Sequence, residues 1–302
     1  MKILISGSHG LVGGALIKLL TTNGHEVIRL VRHARTVGAP EIEWQPDKGT
    51  IDKQELEGLD AVVHLAGENI AEGRWTDEKK RAILDSRVEG TALLTETIAT
   101  LKQPPSVFLS ASAIGYYGNR GDELLTETSA PGNDFLANVC QQWEKATRPA
   151  SEKGIRTVLA RFGIILAEDG GALAKMLTPF QMGIGGRVGS GKQWMSWIAL
   201  DDVAGAIQFM LFDNSVNGPV NFVAPHPVTN AEFTKTLGGV LSRPTFLPVP
   251  AFGVRLAFGE MADALLLASQ RVEPAVLKAR GFGFSFPRLE PALKHILHRE
   301  YT

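Results

Sequence analysis

A single cysteine, Cys140, excludes an internal disulfide and any site built from several thiolates, and it fits a reducing compartment. The thiol itself reads as a small buried hydrophobe. Tyrosine is scarce too: Tyr116, Tyr117 and Tyr301 are the whole supply, so chemistry that needs a phenol has few sources. Neither charge sign dominates. Lys plus Arg number 31 against 32 Asp plus Glu, which argues against nucleic acid as a partner because no global positive field exists to hold a polyanion. No apolar run approaches the ~20 residues that cross a bilayer. The opening MKILISGSHG is too short an apolar stretch for a signal peptide, so a cytoplasmic protein without a membrane partner is expected. The 7 histidines form no i, i+4 pair, and no metal site is expected. His64, inside an apolar strand, reads as held by local hydrogen bonding.

What is present suits a folded core. Hydrophobic residues make up 44% of the chain and charged residues 21%, without low-complexity runs. At 302 residues the chain is long enough for one large α/β domain with an appended lobe.

KILIS (2–6) is a short β-rich run, and the segment after it carries apolar Leu11, Ala15, Leu16, Leu19 and Leu20 at helical spacing. Between them lies GSHGLVG, with Gly7, Gly10 and Gly13 spaced GxxGxxG. One glycine serves a tight turn, one lets backbone N–H groups approach a pyrophosphate, and one lets helix pack closely on strand. Ser8, Leu11 and Val12 complete this candidate dinucleotide cradle. A second strand, EVIRLVR (26–32), follows Gly24. Where NAD-binding folds place an acidic residue on the ribose, this chain reads Arg32, His33, Ala34, Arg35. A guanidinium pairs with a 2′-phosphate that a carboxylate would repel, so NADP is the expected cofactor; the alternative is solvated charge on a loop.

DAVVHLAG (60–67) is a buried strand ending in small Leu65, Ala66 and Gly67, as needed where backbone passes under an adenine or ribose. Further strands are expected at 105–118, 156–166 and 219–225, with helices at about 76–101, 133–152 and 201–213. Strands alternating with helices imply a Rossmann-type, doubly wound parallel sheet with ligands at the strands' carboxyl ends. The expected division is 1–166 with 198–222 as the NADP-binding domain, and 167–197 with 223–302 as a smaller C-terminal substrate lobe. Asp201 is read as the N-cap of the helix it opens. The apolar stretch 248–269 is expected to be a buried helix or a homodimer face.

These residues resemble the extended short-chain dehydrogenase/reductase superfamily: the GxxGxxG glycines, VVHLAG at 62–67, SAS at 110–112 and ARFG at 160–163. GENIAEGRWTDEKKRAILDSRVEGT (67–91), GIGGRVGSGKQWMSWIALDD (183–202) and the tail 269–293 are similar to one branch of atypical epimerase-family members. That branch, sometimes labelled cell-division-inhibitor-like, ends in a small domain of unknown function. The resemblance implies cofactor contacts from Ser110, Ala111, Arg161 and Gly163, with Arg161 open to an ion pair under the sheet instead. It also implies a reaction in which Ser, Tyr and Lys handle a proton, the Lys lowering the Tyr pKa. Ser112 takes the Ser position. The family's helix pattern, aligned through Glu144, puts Leu136 and Cys140 where Tyr and Lys belong. The expected chemistry is therefore an NADP(H)-dependent oxidoreductase or epimerase acting on a small polar molecule, with Ser112 and Tyr116 or Tyr117 handling protons. A noncatalytic NADP(H) sensor or regulatory protein is a second reading, and a cofactor-free scaffold a third. Arg87, which replaces an Asn of the family, is open between a cofactor or substrate contact and a structural ion pair. Glu68 is open between orienting a ribose, acting as a base and capping a helix.

Overall fold

The computed structural model describes residues 1–33 and 40–298. Its centre is an eight-stranded sheet: β1 (Lys2–Ser6), β2 (Glu26–Val31), β3 (Glu41–Gln45), β4 (Thr50–Ile51), β5 (Ala61–His64), β6 (Val107–Ala113), β7 (Arg156–Phe162) and β8 (Gly218–Phe222). The spatial order is β8-β7-β6-β5-β1-β2-β3-β4, parallel except for β4 against β3. The chain runs outward from β1 to β4 and then returns to the other side of β1 as β5. That reversal opens a crevice beyond the carboxyl ends of β1 and β5.

The helices are α1 (Leu11–Thr22), α2 (Asp77–Ala99), α3 (Phe135–Lys145), α4 (Arg148–Glu152), α5 (Gly171–Gln181), α6 (Leu200–Phe212), α7 (Asn230–Leu241), α8 (Ala251–Phe258), α9 (Ala275–Ala279) and α10 (Leu289–Ile296). Strand alternation sends neighbouring residues to opposite faces. Ile3, Ile5, Val63 and Leu109 meet Leu16 and Leu20 of α1 and Val203, Ile207 and Met210 of α6. Leu4, Val62 and Phe108 meet Leu94 and Ile98 of α2, Ala150 of α4 and Trp44 of β3. A further core joins Leu173, Leu177 and Phe180 of α5 to Phe233 and Leu237 of α7 and Leu293 of α10.

The expected strand 156–166 is broken. After β7, Gly163 turns the chain so that Ile164–Leu166 pairs in parallel with Trp197–Ala199. A Cβ on Gly163 would lie 2.5 Å from the Ser196 carbonyl oxygen, so the break needs glycine. Likewise 105–118 ends as a strand at Ala113 and closes into one 3₁₀ turn over Ile114–Tyr117. The expected helix 133–152 divides into α3 and α4, with Pro149 in the first turn of the second helix. β3, with charged Glu41 and Glu43, and the two-residue β4 were not expected. Asp201 does not cap α6: Ala199 holds the N-cap position, and the Asp201 carboxylate faces His295 Nε2 at 2.9 Å. The stretch 248–269 is not a buried helix. It forms α8 and a π-helical turn over Ala262–Leu267, and Phe252 and Leu256 of α8 point into solvent.

Candidate functional site

The β1–α1 turn is shaped by what glycine permits. Gly7 has φ +66°, and a Cβ there would meet the Leu65 carbonyl carbon at 2.8 Å and the Ala66 nitrogen at 2.9 Å. The turn therefore rests directly on the backbone leaving β5. A Cβ on Gly13 would collide with the Gly7 carbonyl oxygen. Gly10 is the N-cap of α1 and offers no side-chain acceptor, so the first-turn N–H groups of Leu11, Val12 and Gly13 are directed off the helix end. Together with the positive end of the helix dipole, that geometry suits an anion.

A polar clip fixes the floor of this turn. Ser6 Oγ accepts from Leu65 N at 3.0 Å and Ala66 N at 3.2 Å, which leaves its proton for His64 Nδ1 at 2.7 Å. The His64 partner is thus on the neighbouring strand rather than local in sequence. Its Nε2 has no partner among the described residues, and burial pushes the imidazole pKa down to about 4. Ser8 is buried, whereas Arg32 and His33 are exposed at the carboxyl end of β2, the strand beside β1. Arg35 lies outside the described residues.

Arg87 reaches from α2 over Gly67, whose Cβ would lie 3.3 Å from the guanidinium carbon. It donates to Ile83 O, its guanidinium lies 5.0 Å over the Trp143 ring, and burial lowers its pKa. The Glu68 carboxylate binds Lys79 at 2.6 Å, and Thr76 is the residue that caps α2, so the capping reading of Glu68 is corrected.

Around the carboxyl end of β6 the structure gathers residues that the sequence left scattered. Ser112 donates to Glu144 Oε1 at 2.7 Å. Arg161 holds both Glu144 oxygens at 2.8 Å, and the pair is buried. Burial alone would lower the Arg161 pKa, but the Glu144 carboxylate more than offsets it and the net direction is upward. The Tyr117 hydroxyl donates to Asn221 Oδ1 at 2.7 Å and accepts from Arg161 Nη1 at 3.0 Å. Tyr117 has no exposed surface, and burial raises its pKa. Tyr116 is half-buried, its ring 3.5 Å from the Arg161 guanidinium. Ser110 and Ala111 are buried within β6. Gly163 is the close-packed break described above. Leu136 lies against Gly115, and the Cys140 thiol, near Ala113 O, is pushed up to about 12 by burial.

Glu144, Asn221 and Glu127 were not singled out from sequence as site residues. Glu127 Oε1 accepts from Asn221 N and from Val276 N, a contact between distant segments that no local pattern announces. Among the described residues no group of three His, Cys, Asp or Glu converges on a metal-sized site, and no helix is long and apolar enough to cross a membrane.

A reversing, mostly parallel sheet with a glycine turn after its central strand is the architecture of the extended short-chain dehydrogenase/reductase class. Residues 3–222 match the NAD dependent epimerase/dehydratase family, and the chain belongs to it; residues 249–296 match a domain of unknown function, DUF1731. An epimerase family protein of Mycobacterium bovis is 43% identical over 98% of each chain. The structure of human epimerase family protein SDR39U1 with NADPH is similar at a TM-score of 0.92 and 38% identity, covering 99% of each chain. A nucleoside-diphosphate sugar epimerase from Corynebacterium glutamicum matches at 0.83 and 41%, covering 99% of this chain and 59% of that one.

Proposed function

We propose that the protein binds NADP(H) at the β1–α1 turn and acts on a small polar substrate held against a C-terminal lobe of residues 167–197 and 223–302. Residues 1–166 and 198–222 form the nucleotide-binding part in this reading. The observation that carries it is the glycine turn: Gly7 and Gly13 let its backbone close tightly on β5 and on itself where a Cβ would collide, and Gly10 leaves an uncapped helix end suited to a pyrophosphate. Arg32, exposed beside that turn, favours the 2′-phosphorylated nucleotide, and the human relative whose structure contains NADPH agrees with this choice. A bound nicotinamide supplies a donor or acceptor of hydride.

The chain's own residues then divide the remaining work. Tyr117 is removed from solvent with both hydroxyl contacts engaged, which favours Tyr116 as the phenol that exchanges a proton with substrate. The Ser112 hydroxyl donates its one hydrogen bond to Glu144, so it can only accept a further one. The Tyr/Lys pair of the superfamily is replaced by Leu136 and Cys140; Leu136 carries no proton and the Cys140 thiol stays neutral at neutral pH. Calorimetry tests the reading: NADPH should bind at least tenfold more tightly than NADH, and Arg32→Ala should remove that preference. Equal heats for both nucleotides would overturn the NADP assignment. NADPH oxidation across a panel of carbonyl compounds tests turnover, which Tyr116→Phe should lower far more than Tyr117→Phe.

A noncatalytic NADP(H) sensor is the second reading. The mutual engagement of Ser112, Glu144, Arg161, Tyr117 and Asn221 favours it, since polar groups tied to one another are not free for substrate. Tight NADPH binding with no consumption on any carbonyl would select this reading.

A further inference from the structure

We propose that Arg271 anchors a carboxylate-binding subsite, walled by Trp194, beside the turn that carries Tyr116. Arg271 lies on the short strand Arg271–Val272, which pairs in parallel with Leu124–Leu125. Its side chain is half-buried, and its Nε is buried without a hydrogen-bond partner. Among the described residues its guanidinium has no ion-pair partner. The carboxylates nearest in sequence to this strand pair are spent elsewhere. Asp122 accepts from Trp194 Nε1 at 2.8 Å, Glu123 pairs with Arg120 at 2.7 Å, and Glu273 pairs with Lys278. An unpaired, partly buried cation with an orphaned donor is costly, and a complementary anion is the plainest way to satisfy it.

The geometry specifies the kind of anion. The Arg271 guanidinium carbon lies 4.6 Å over the Trp194 ring, which covers one face of the fork and leaves its coplanar N–H donors for an acceptor approaching edge-on. Trp194 is itself immobilised: besides the Asp122 bond, its backbone N donates to Ser269 Oγ at 3.0 Å and its carbonyl accepts from Gln270 N. The neighbouring Gln270 amide donates to Ile114 O at 3.0 Å and Gly118 O at 3.2 Å, the two ends of the Tyr116 turn. Arg271 is therefore held at a fixed place relative to Tyr116. The coplanar donors match two oxygens of a carboxylate or of a phosphate, and a single guanidinium balances the one negative charge of a carboxylate better than the nearly two of a phosphate. An acid seated here binds whether or not a nucleotide does, so the subsite stands or falls separately from the NADP(H) reading.

The test uses the full chain with 15N-labelled arginine and no nucleotide. The Arg271 Nε–H resonance is assigned by its loss in Arg271→Lys and, should that variant not fold, by its displacement in Trp194→Phe. Sodium acetate, sodium phosphate and sodium chloride are then titrated at matched ionic strength. The expected result is a saturable shift of the Arg271 resonance with acetate, half-complete at a concentration at least tenfold below that needed with chloride. A resonance that moves no more than those of the other arginines would overturn the subsite. Saturation by phosphate alone would overturn the carboxylate assignment.

Discussion

Gly13 is the least replaceable residue of the glycine turn, because any Cβ there runs into the Gly7 carbonyl oxygen. Gly13→Ala should cost about 1–3 kcal/mol through overpacking, read by chemical denaturation, and weaken NADPH binding at least tenfold by calorimetry. The buried Arg161–Glu144 pair makes a different prediction. Glu144→Gln leaves a guanidinium without its counter-charge and should cost about 3–5 kcal/mol, whereas a surface pair such as Arg148–Glu152 should cost under about 1. His64 carries a pH dependence whose sign follows from its burial. Its folded pKa of about 4 lies below the ordinary histidine value of 6.5, so between those pH values the unfolded chain binds more protons. Stability contributed by neutral His64 is full above that window and is lost as pH falls through it, by roughly 3 kcal/mol at the acid end. Denaturation midpoints at pH 7 and pH 4.5 should converge in His64→Asn relative to the unsubstituted protein.

The elements depend on contacts that join distant segments. Asp202, buried in the first turn of α6, accepts from Ser285 N at 2.7 Å and Phe286 N at 3.0 Å and so ties the segment before α10 to the sheet side of the molecule. Asp202→Ala orphans both donors and should cost about 1–3 kcal/mol for each that stays buried. Limited proteolysis between residues 281 and 288 should quicken in that variant, and an unchanged rate would contradict the anchoring role. At this scale the sequence was a good guide wherever one rule sufficed. β1, α1, β2 and α6 were expected within a residue or two because period-2 and period-3.6 patterns are strong there. It misled where a long apolar run hides a break. Nothing local marks Gly163 as a corner, because the atom that forbids a side chain, Ser196 O, arrives from another segment.

Over the whole molecule the C-terminal segment is not a separable cap. Leu277 packs into the core beneath α1 and α6, Leu289 and Leu293 complete the core of α5 and α7, and Val272 joins the cluster of Ile114 and Tyr117. The full chain should therefore unfold in one calorimetric transition, and removal of residues 249–302 should abolish cooperative unfolding; two resolved transitions would refute this. Contacts across the loop after β5 reinforce the union. Arg74 donates to Leu256 O and Ala257 O at the end of α8, Lys80 pairs with Glu260, and Lys175 donates to Ala71 O at 2.6 Å.

The order of residues by itself determined the sheet class and the glycine turn, because those follow from side-chain periodicity and from the absence of a Cβ, both local properties. It also pointed separately to Ser112 and Arg161, through resemblance, and to Tyr116 and Tyr117, through the scarcity of tyrosine. Only the tertiary structure decided what these side chains do with one another: Ser112 donates its hydrogen bond to Glu144, Tyr117 is sealed against Asn221, and Arg271 lies beside Trp194 with its Nε unpartnered among the described residues. Those outcomes turn on distances between residues tens to more than a hundred positions apart. Such distances are set by how the sheet and its covering helices pack, and no local pattern in the chain encodes them.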